Sequence, residues 1–376
     1  MNLLEQNLRN LYSEKTVLVT GHTGFKGTWL LGLLKQMSCR VVGFALDPIC
    51  TDENHFYTKI PSFHPAVDIR EDIRNFQSFC TVLHTYKPDL IFHLAAQSLV
   101  SQGIDDPMST YSTNIMGLVH LLEGIRELDH VGVVVVTSDK CYAPSSDVHT
   151  ELSPLGGEEP YSVSKASMEM IVRTYQNDSV YKHSIATARS GNVVGGGDFA
   201  LHRLIPDWIR AQQKDNATPF QIRHPIADRP FQYVLEPLMG YVILGYHLLQ
   251  QEKIGAWNFG PQQSLQVQQI ISLCEEIQQQ KHNRNNEKTK QPFVSDLNNW
   301  SWREQRNLSI DSSKSKSQLG WYTRCTPYDM IQWTLEGYEV LGKIPSTTTH
   351  RNQHQLIQDV FCHQIQNYWK LYFAMS

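Results

Sequence analysis

A short apolar run, a turn with three glycines and a second apolar run follow one another near the start of the chain. Thr16-Val17-Leu18-Val19-Thr20 is rich in β-branched residues and predicts a buried parallel strand. The turn Gly21-His22-Thr23-Gly24-Phe25-Lys26-Gly27 then leads into residues 28–34, which have helical spacing. The first turn of such a helix offers unpaired N–H groups and the positive end of a dipole. The segment therefore predicts an α/β fold with a dinucleotide pyrophosphate at this turn.

Later residues in this half extend the predicted cofactor site. A second strand, residues 40–46, ends at Asp47, whose carboxylate can accept both ribose hydroxyls and would repel a 2′-phosphate. This favours NAD over NADP, although a turn aspartate before Pro48 is the alternative. We expect Asp68-Ile69 after a third strand to contact the adenine, with Asp68 in reach of its exocyclic amine. Lys26 can equally contact a phosphate or be solvated.

Two further strands deliver polar or small residues to the same edge of the sheet. Leu90-Ile91-Phe92-His93 runs into Leu94-Ala95-Ala96-Gln97, where small side chains let the backbone approach a cofactor. Residues 131–136 form the most apolar strand and end in Thr137-Ser138-Asp139-Lys140. Chemistry in parallel sheets takes place at the carboxyl ends of strands. Between these strands, Asn114 is polar on an apolar helix face and is expected to hold backbone near the site.

A tyrosine and a lysine stand four residues apart in Tyr161-Ser162-Val163-Ser164-Lys165. On a helix they share one face, so the ammonium can sit beside the phenol and lower the tyrosine pKa from ~10 toward working pH. A general base is most effective there. A surface Tyr/Lys pair is the alternative, but the position after a dinucleotide-binding half favours catalysis.

The composition is that of an ordinary globular enzyme. The 376 residues are 41% hydrophobic and 19% charged with a net charge of −4, so we expect no nucleic-acid partner. The seven cysteines are scattered without a CxxC, which predicts neither a disulfide framework nor a metal site. The N-terminal segment lacks the apolar stretch of a signal peptide, and no apolar run approaches the ~18 residues of a membrane span. We therefore expect a cytoplasmic protein without membrane contact.

Taken together, these segments resemble the CDP-glucose 4,6-dehydratases of the extended short-chain dehydrogenase/reductase superfamily. The resemblance spans residues 16–321, the glycines have the GxxGxxG spacing of that superfamily, and Ser138-Asp139-Lys140 is the most specific element, since related dehydratases usually carry Thr-Asp-Glu there. The matching segments are Gly21-His22-Thr23-Gly24-Phe25-Lys26-Gly27, His93-Leu94-Ala95-Ala96-Gln97, Thr137-Ser138-Asp139-Lys140-Cys141-Tyr142, Pro160-Tyr161-Ser162-Val163-Ser164-Lys165, Arg189-Ser190-Gly191-Asn192-Val193-Val194-Gly195-Gly196-Gly197-Asp198 and Arg229-Pro230-Phe231-Gln232-Tyr233-Val234-Leu235-Glu236-Pro237.

The resemblance implies a reaction and roles for five residues. Tyr161 takes the proton of the sugar C4 hydroxyl while hydride moves to NAD, Lys165 lowers the tyrosine pKa and holds the nicotinamide ribose, and Ser138 hydrogen-bonds the same hydroxyl. Water then leaves across C5 and C6, with Asp139 as the acid if burial raises its pKa. Lys140 is the base that takes the C5 proton, or its charge stabilises the enolate that forms when this proton leaves. Hydride returns to C6, giving CDP-4-keto-6-deoxyglucose for deoxysugars such as those of lipopolysaccharide O-antigens.

The resemblance also implies an architecture and a set of binding residues. It predicts a Rossmann-type doubly wound parallel sheet over residues 1–190, a smaller α/β substrate-binding lobe over 191–343 with some segments returning to the first domain, and a linker with an amphipathic helix over 344–376. NAD is expected to contact Gly21, His22, Thr23, Gly24, Phe25, Lys26, Gly27, Asp47, Asp68, Ile69, Leu94, Ala95, Ala96, Asn114, Tyr161 and Lys165. The nucleotide sugar is expected to contact Gln97, Asn192, Val193, Arg203, Leu204 and Arg229, although surface arginine is the alternative for Arg203 and Arg229.

Two segments depart from the dehydratase pattern. Ser101-Gln102-Gly103-Ile104 stands where an arginine and an aromatic residue are usual, and residues 143–155 replace a longer, tryptophan-bearing segment. Three hypotheses therefore stand: a CDP-glucose 4,6-dehydratase, another nucleotide-sugar dehydratase or 4-epimerase, and a non-catalytic NAD-binding protein.

Apolar residues on several faces of the helices near Thr113 and Tyr161 predict a homodimer or a dimer of dimers.

Overall fold

The computed structural model describes residues 2–48, 55–213, 220–222, 224–282, 294–295, 307–342 and 353–374. In this part of the chain the strands are β1 (Thr16–Thr20), β2 (Arg40–Ala45), β3 (Val67–Arg70), β4 (Leu90–His93), β5 (Gly132–Val136), β6 (Ser184–Ser190), β7 (Val193–Val194), β8 (Gln221–Ile222), β9 (Asp228–Arg229), β10 (Gln232–Tyr233), β11 (Gly255–Phe259), β12 (Leu265–Gln266) and β13 (Val294–Ser295).

The described helices lie between and after these strands. They are α1 (Leu3–Tyr12), α2 (Phe25–Lys35), α3 (Phe56–Lys59), α4 (Phe76–Tyr86), α5 (Val100–Asp105), α6 (Pro107–Tyr111), α7 (Gly117–Gly124), α8 (Pro160–Gln176), α9 (Leu204–Gln213), α10 (Leu235–Leu249), α11 (Val267–His282), α12 (Ser313–Leu319), α13 (Pro327–Val340) and α14 (Gln353–Ala374). A π-helical turn, Ser112–Met116, joins α6 to α7.

Seven strands form one parallel sheet in the order β11-β6-β5-β4-β1-β2-β3. Successive side chains of a strand point to opposite faces, so both faces of this sheet must be covered. Val17 and Val19 pack with Trp29 of α2 and with α10, whereas Leu18 packs with Phe79 of α4 and with α7 and α8 on the other face. This confirms the predicted Rossmann-type doubly wound α/β fold.

A smaller set of elements lies beyond β6. Three two-stranded pairings, β7 with β10, β9 with β12 and β8 with β13, accompany α9, α11 and α13. The chain also returns to the main sheet, because β11 pairs with β6, with Trp257 opposite Ala188, and α10 packs on that sheet. α11 runs to His282. Residues 283–292 lie outside the described part.

The C-terminal helix α14 covers a surface of its own chain. Its apolar residues Ile357, Phe361, Ile365, Tyr368 and Tyr372 are all buried, as the predicted amphipathic helix requires. They pack on α2, α3 and α13. A Cβ on Gly32 of α2 would lie 2.5 Å from Ile365 Cδ1, so glycine there permits the close approach. The linker predicted before this helix, residues 346–352, lies outside the described residues.

Two properties of the whole described chain bear on function. None of its described helices combines the length and the apolar character that a membrane crossing requires. In the same residues, no group of three or more His, Cys, Asp or Glu side chains is arranged to hold a metal ion.

Candidate active site

One large cavity opens at the carboxyl ends of the parallel strands. Its volume is about 1300 Å³, and it extends from the glycine turn after β1 past the ends of β4, β5 and β6 to residues of the smaller lobe. A typical single-ligand site measures ~300–1,000 Å³. The cavity is therefore large enough for a dinucleotide and a second ligand.

The glycine turn leaves backbone room for an anion. Gly21 has φ +72°, and a Cβ there would lie 2.7 Å from the backbone nitrogen of Ala95. A Cβ on Gly27 would lie 2.2 Å from the carbonyl oxygen of Gly21. Gly24 precedes the first residue of α2, and no side chain caps that helix. Gly24 and the residues of the first helical turn line the cavity, as a pyrophosphate site requires.

His22, Asp68 and Ile69, which were predicted to contact the cofactor, do not line the cavity. His22 is fully buried behind the glycine turn, and its Nε2 lies 2.8 Å from Oδ1 of Asp68. The other carboxylate oxygen of Asp68 accepts from Tyr57 Oη at 2.7 Å and from Arg70 Nη2 at 2.7 Å. Asp68 and its neighbour Ile69 lie within β3 rather than after it. Contact of His22, Asp68 and Ile69 with the cofactor stays a prediction.

A second copy of the same tripeptide lies closer to the cavity. Asp72-Ile73-Arg74 lies beyond the carboxyl end of β3, and all three residues line the cavity. Asp72 pairs with Arg74, which keeps the pKa of its carboxyl below the usual value. The sequence signal was present, since Asp-Ile-Arg occurs twice, but the end of β3 decides which copy reaches the site.

Other predicted cofactor residues line the cavity or support its wall. Asp47 lies at the cavity edge after β2 with a mostly exposed side chain, and Leu94, Ala95 and Ala96 form the wall after β4. Asn114 is buried in the π-helical turn and does not line the cavity.

Asn114 acts on backbone, as the sequence predicts. Its Oδ1 accepts from the backbone nitrogen of Gln97 at 2.8 Å, and its Nδ2 donates to the carbonyl of Gln97 and to Ser164 Oγ. It therefore ties the loop after β4 to α8.

Tyr161 and Lys165 share the inner face of α8, as predicted. The helix begins here because Pro160 occupies its first position and the Glu159 carboxylate accepts from the backbone nitrogens of Tyr161 and Ser162. Lys165 Nζ donates to the carbonyl of Val136 at 3.0 Å and lies 5.9 Å from the centre of the Tyr161 ring. Both side chains line the cavity.

The pKa values of this pair differ from the simplest expectation. Burial raises the pKa of Tyr161 to about 12, with the Ser138 hydroxyl and the Arg203 charge acting in the opposite direction. Burial lowers the pKa of Lys165 to about 8. That Lys165 lowers the pKa of Tyr161 toward working pH stays a prediction, and the Arg203 charge already acts on the phenol in this direction.

Ser138, Asp139 and Lys140 follow β5 into the cavity. Ser138 Oγ donates to Asp139 Oδ1 at 2.9 Å and accepts from the Lys140 backbone nitrogen at 3.2 Å. Asp139 is buried, and its Oδ2 has no hydrogen-bond partner among the described residues. Burial raises the pKa of Asp139 against the opposing charge of Lys140 and the Ser138 bond. This is the direction that a general acid needs.

Two predicted substrate residues are held by neighbours. The Gln97 amide bonds the backbone of Leu99 and donates to Thr110 Oγ1 at 2.8 Å, so it braces the loop after β4. Arg203 Nη1 donates to Asp198 Oδ2 at 2.8 Å, and its charge acts on Tyr161. Arg203 therefore lies near the reactive tyrosine while remaining paired.

The other predicted substrate residues also line the cavity. Arg229 is buried on β9, donates to the carbonyl of Asp228 at 2.8 Å, and its charge acts on Asp139. Asn192 and Val193 follow β6, and Leu204 begins α9. The structure thus brings all six predicted substrate residues to one cavity.

A buried ionic network beneath the site was not predicted. Glu169, one turn beyond Lys165 on α8, accepts from Thr137 Oγ1 at 2.5 Å, from Thr187 Oγ1 at 2.7 Å and from Arg189 Nη2 at 2.7 Å. Arg189 Nη1 donates to Tyr142 Oη at 2.9 Å. The network ties both ends of the loop 137–142 to the catalytic helix. A glutamate four residues after Lys165, together with an arginine in an apolar strand, was the available signal.

The family model described as GDP-mannose 4,6 dehydratase matches residues 18–334. The chain belongs to this family. One relative is CDP-glucose 4,6-dehydratase of Salmonella typhimurium, which is 35% identical over 361 residues, or 89% of this chain and 91% of that protein. These findings confirm the resemblance recognised in the sequence.

Solved structures agree on the fold of the family. An epimerase from Methanothermobacter thermautotrophicus superposes with a TM-score of 0.77 at 21% identity, covering 91% of this chain and 98% of that one. A UDP-glucose-4-epimerase from Stenotrophomonas maltophila, solved with NAD and formylated UDP-arabinopyranose, gives a TM-score of 0.75 at 19% identity, covering 88% and 99%.

Proposed function

We propose that this protein is an NAD-dependent dehydratase that converts CDP-glucose to CDP-4-keto-6-deoxyglucose, an intermediate for deoxysugars such as those of lipopolysaccharide O-antigens. The observation that carries the proposal is the buried Asp139 carboxyl, with a free Oδ2, in one cavity with Tyr161 and Lys165. An oxidoreductase or epimerase needs the tyrosine and lysine but has no use for a second acid. The CDP-glucose 4,6-dehydratase relative supports the choice of substrate.

The residues present fit NAD. The glycine turn forms a cradle that a Cβ at Gly21 or Gly27 would fill, and Asp47 and Asp72 line the cavity where the adenosine half is expected. We assign the adenine to Asp72 and Ile73 and the ribose to Asp47. NAD, when bound, supplies the acceptor for the C4 hydrogen and returns that hydrogen to C6. The reaction therefore has no net redox change.

Each chemical step has a residue suited to it. Tyr161 accepts the C4 hydroxyl proton, with Ser138 beside it and the Arg203 charge favouring the phenolate. Asp139 donates a proton to the C6 hydroxyl, which leaves as water, and the C5 proton passes to a base. Lys140 lines the cavity and is our assignment for that base or for the cation that stabilises the enolate. Lys165, held by the Val136 carbonyl, positions the nicotinamide ribose.

A turnover assay with a panel of nucleotide sugars tests the proposal. Purified protein and NAD are incubated separately with CDP-glucose and with the dTDP, UDP and GDP sugars, and the alkali-labile 4-keto product is measured. We expect product from CDP-glucose that is lost in Tyr161→Phe and in Asp139→Asn. Tyr175→Phe is the matched control, because Tyr175 lies on the same helix and bonds Glu123 outside the cavity.

A 4,6-dehydratase for another nucleotide sugar is the second candidate. Both segments that depart from the pattern of CDP-glucose enzymes contribute to the cavity wall. Ser101, Gln102 and Ile104 of α5 line it, and so does Pro144 of the second segment. Turnover of a different sugar nucleotide with none of CDP-glucose would establish this candidate. Product that depends on Tyr161 but not on Asp139 would instead establish an epimerase, and silence with every sugar would favour a binding protein.

We further propose a cytoplasmic homodimer. Met116 and Met170 are 45% and 59% exposed on the two helical segments that were predicted to pair, whereas Met168 and Val172 of α8 face the sheet. The described cysteines are unpaired, as in a reducing compartment. Light scattering of the wild type and of Met170→Lys tests the dimer. A monomeric wild type would refute it.

A further inference from the structure

Ser138 lies between the two acids that the proposed reaction uses. Its Oγ donates to Asp139 Oδ1 at 2.9 Å and accepts from the Lys140 backbone nitrogen at 3.2 Å. A serine oxygen has one hydrogen to donate and two lone pairs to accept with, so one lone pair remains. The same hydroxyl is within hydrogen-bonding reach of the Tyr161 phenol. The three side chains therefore form a continuous row of proton-bearing groups, from the phenol through the hydroxyl to the carboxyl.

The two acids at the ends of this row are shielded from water and sense each other. Asp139 is 4% exposed and Tyr161 is 9% exposed. A negative charge on Asp139 raises the pKa of Tyr161, because two like charges in a buried site repel. A proton lost by one acid is therefore most easily supplied by the other.

The proton balance of the proposed dehydration links the same two acids. Oxidation at C4 gives the hydroxyl proton to Tyr161, and the loss of water takes a proton from Asp139. The proton removed from C5 is replaced at C5, so it does not enter the balance. At the end of a turnover Tyr161 thus carries one proton more than at the start, and Asp139 carries one fewer. One proton must pass from Tyr161 to Asp139 before the next sugar reacts.

We propose that Ser138 carries this proton from Tyr161 to Asp139 and so resets both acids after each turnover. The phenol O–H bond breaks as its proton moves to Ser138 Oγ, and the Ser138 O–H bond breaks as its proton moves to Asp139 Oδ1. Tyr161 is left as a phenolate, Asp139 as a neutral carboxylic acid, and Ser138 again holds one proton. This inference rests on the proposed dehydratase function.

The surroundings of both acids suit the state that this transfer produces. The Ser138 hydroxyl now points to the phenolate and stabilises it. Asp139 Oδ2 has no hydrogen-bond partner among the described residues that would hold the carboxyl in one orientation. Rotation about the Cβ–Cγ bond, a soft torsion in aspartate, presents the new proton to the next C6 hydroxyl.

Comparison of the first turnover with later turnovers tests this relay. Wild type, Ser138→Thr and Ser138→Val are mixed with NAD and CDP-glucose, first with protein in excess and then with substrate in excess, and the 4-keto product is measured by rapid quenching. Threonine and valine have nearly the same shape, and only threonine keeps a hydroxyl. Ser138→Ala is a second variant without the hydroxyl, in case valine impairs folding. Ser167→Ala is the control for hydroxyl loss, because Ser167 lies on α8 outside the cavity and bonds the carbonyl of Val163.

The expected result is a larger ratio of the first-turnover rate to the later rate when the hydroxyl is missing. Both acids reach their starting states in water before mixing, so the first turnover does not need the relay. In Ser138→Val and Ser138→Ala the ratio should exceed that of the wild type by on the order of tenfold or more, since positioned proton transfer contributes ~10²–10⁴-fold. Ser138→Thr and Ser167→Ala should keep the wild-type ratio. Formate or imidazole, which can carry a proton, should speed only the later turnovers of the variants without the hydroxyl.

Two results would overturn the inference while leaving the proposed function intact. Equal slowing or equal loss of the first and later turnovers in Ser138→Val and Ser138→Ala would limit Ser138 to its contact with the substrate. A ratio as high in Ser138→Thr as in Ser138→Val would show that the hydroxyl is not the carrier. Failure of the wild type to form a 4-keto product even in the first turnover would instead overturn the proposed function.

Discussion

Removing the Glu169 carboxylate should destabilise the protein and loosen the catalytic loop. Arg189 is 0% exposed, and Glu169 is its anionic partner as well as the acceptor for Thr137 and Thr187. Breaking such a buried pair from one side costs ~3–5 kcal/mol, because the remaining charge stays buried. Glu169→Ala should therefore lower the free energy of unfolding by about 3–5 kcal/mol. Glu169→Gln, which keeps the shape and one acceptor, should cost less.

Denaturant unfolding measures this loss, and Glu123→Gln is the control. Glu123 pairs with Arg126 on the surface of α7, where such a pair contributes ~0–1 kcal/mol. Turnover of Glu169→Gln should also fall by about tenfold. Glu169 holds Thr137, and a ~1 Å shift of the next residue, Ser138, would move its hydroxyl away from the reacting group of the substrate. If Glu169→Ala and Glu123→Gln had equally small effects on unfolding, the network would not hold the loop, and the reasoning would be refuted.

Three further predictions concern pH, the glycine turn and the adenine site. Burial raises the pKa of Glu236 from 4.5 to about 7, so the folded protein binds this proton more tightly than the unfolded chain. The free energy of unfolding should fall by ~3 kcal/mol as pH rises through this window, and Glu236→Gln should remove that part of the pH dependence in unfolding titrations. Gly27→Ala should abolish NAD binding measured by calorimetry, because its Cβ would meet the carbonyl of Gly21 at 2.2 Å. Asp72→Ala should weaken NAD binding about tenfold by loss of a hydrogen bond, whereas Asp68→Asn should lower the melting temperature more than it lowers intrinsic affinity.

The fold and the reactive pair were predictable because they depend on local patterns. Apolar strands such as residues 131–136 alternate with helices, and the spacing of Tyr161 and Lys165 puts both on one helix face. The amphipathic character of α14 was predictable for the same reason. The surface that α14 covers was not, because it is assembled from α2, α3 and α13, which are distant in sequence.

The two copies of one tripeptide show why the rest could not be read from the sequence. Two Asp-Ile-Arg tripeptides stand four residues apart, and either can end a strand. The register of β2 and β3 pairs Ala45 with Arg70, which places the first tripeptide inside the sheet and the second beyond its edge. Long-range pairing also set the direction of Lys26, whose partners Ser190 and Tyr241 are 164 and 215 residues away along the chain.

Transfer of deuterium from C4 to C6 tests the central claim most directly. CDP-glucose carrying deuterium at C4 is incubated with the protein and NAD, and the position of the label in the product is read by nuclear magnetic resonance. The account predicts a 4-keto-6-deoxy product with the deuterium at C6, because the hydrogen taken from C4 is returned within one turnover. Label retained at C4 of an unchanged or epimerised sugar, with no loss of water, would contradict it.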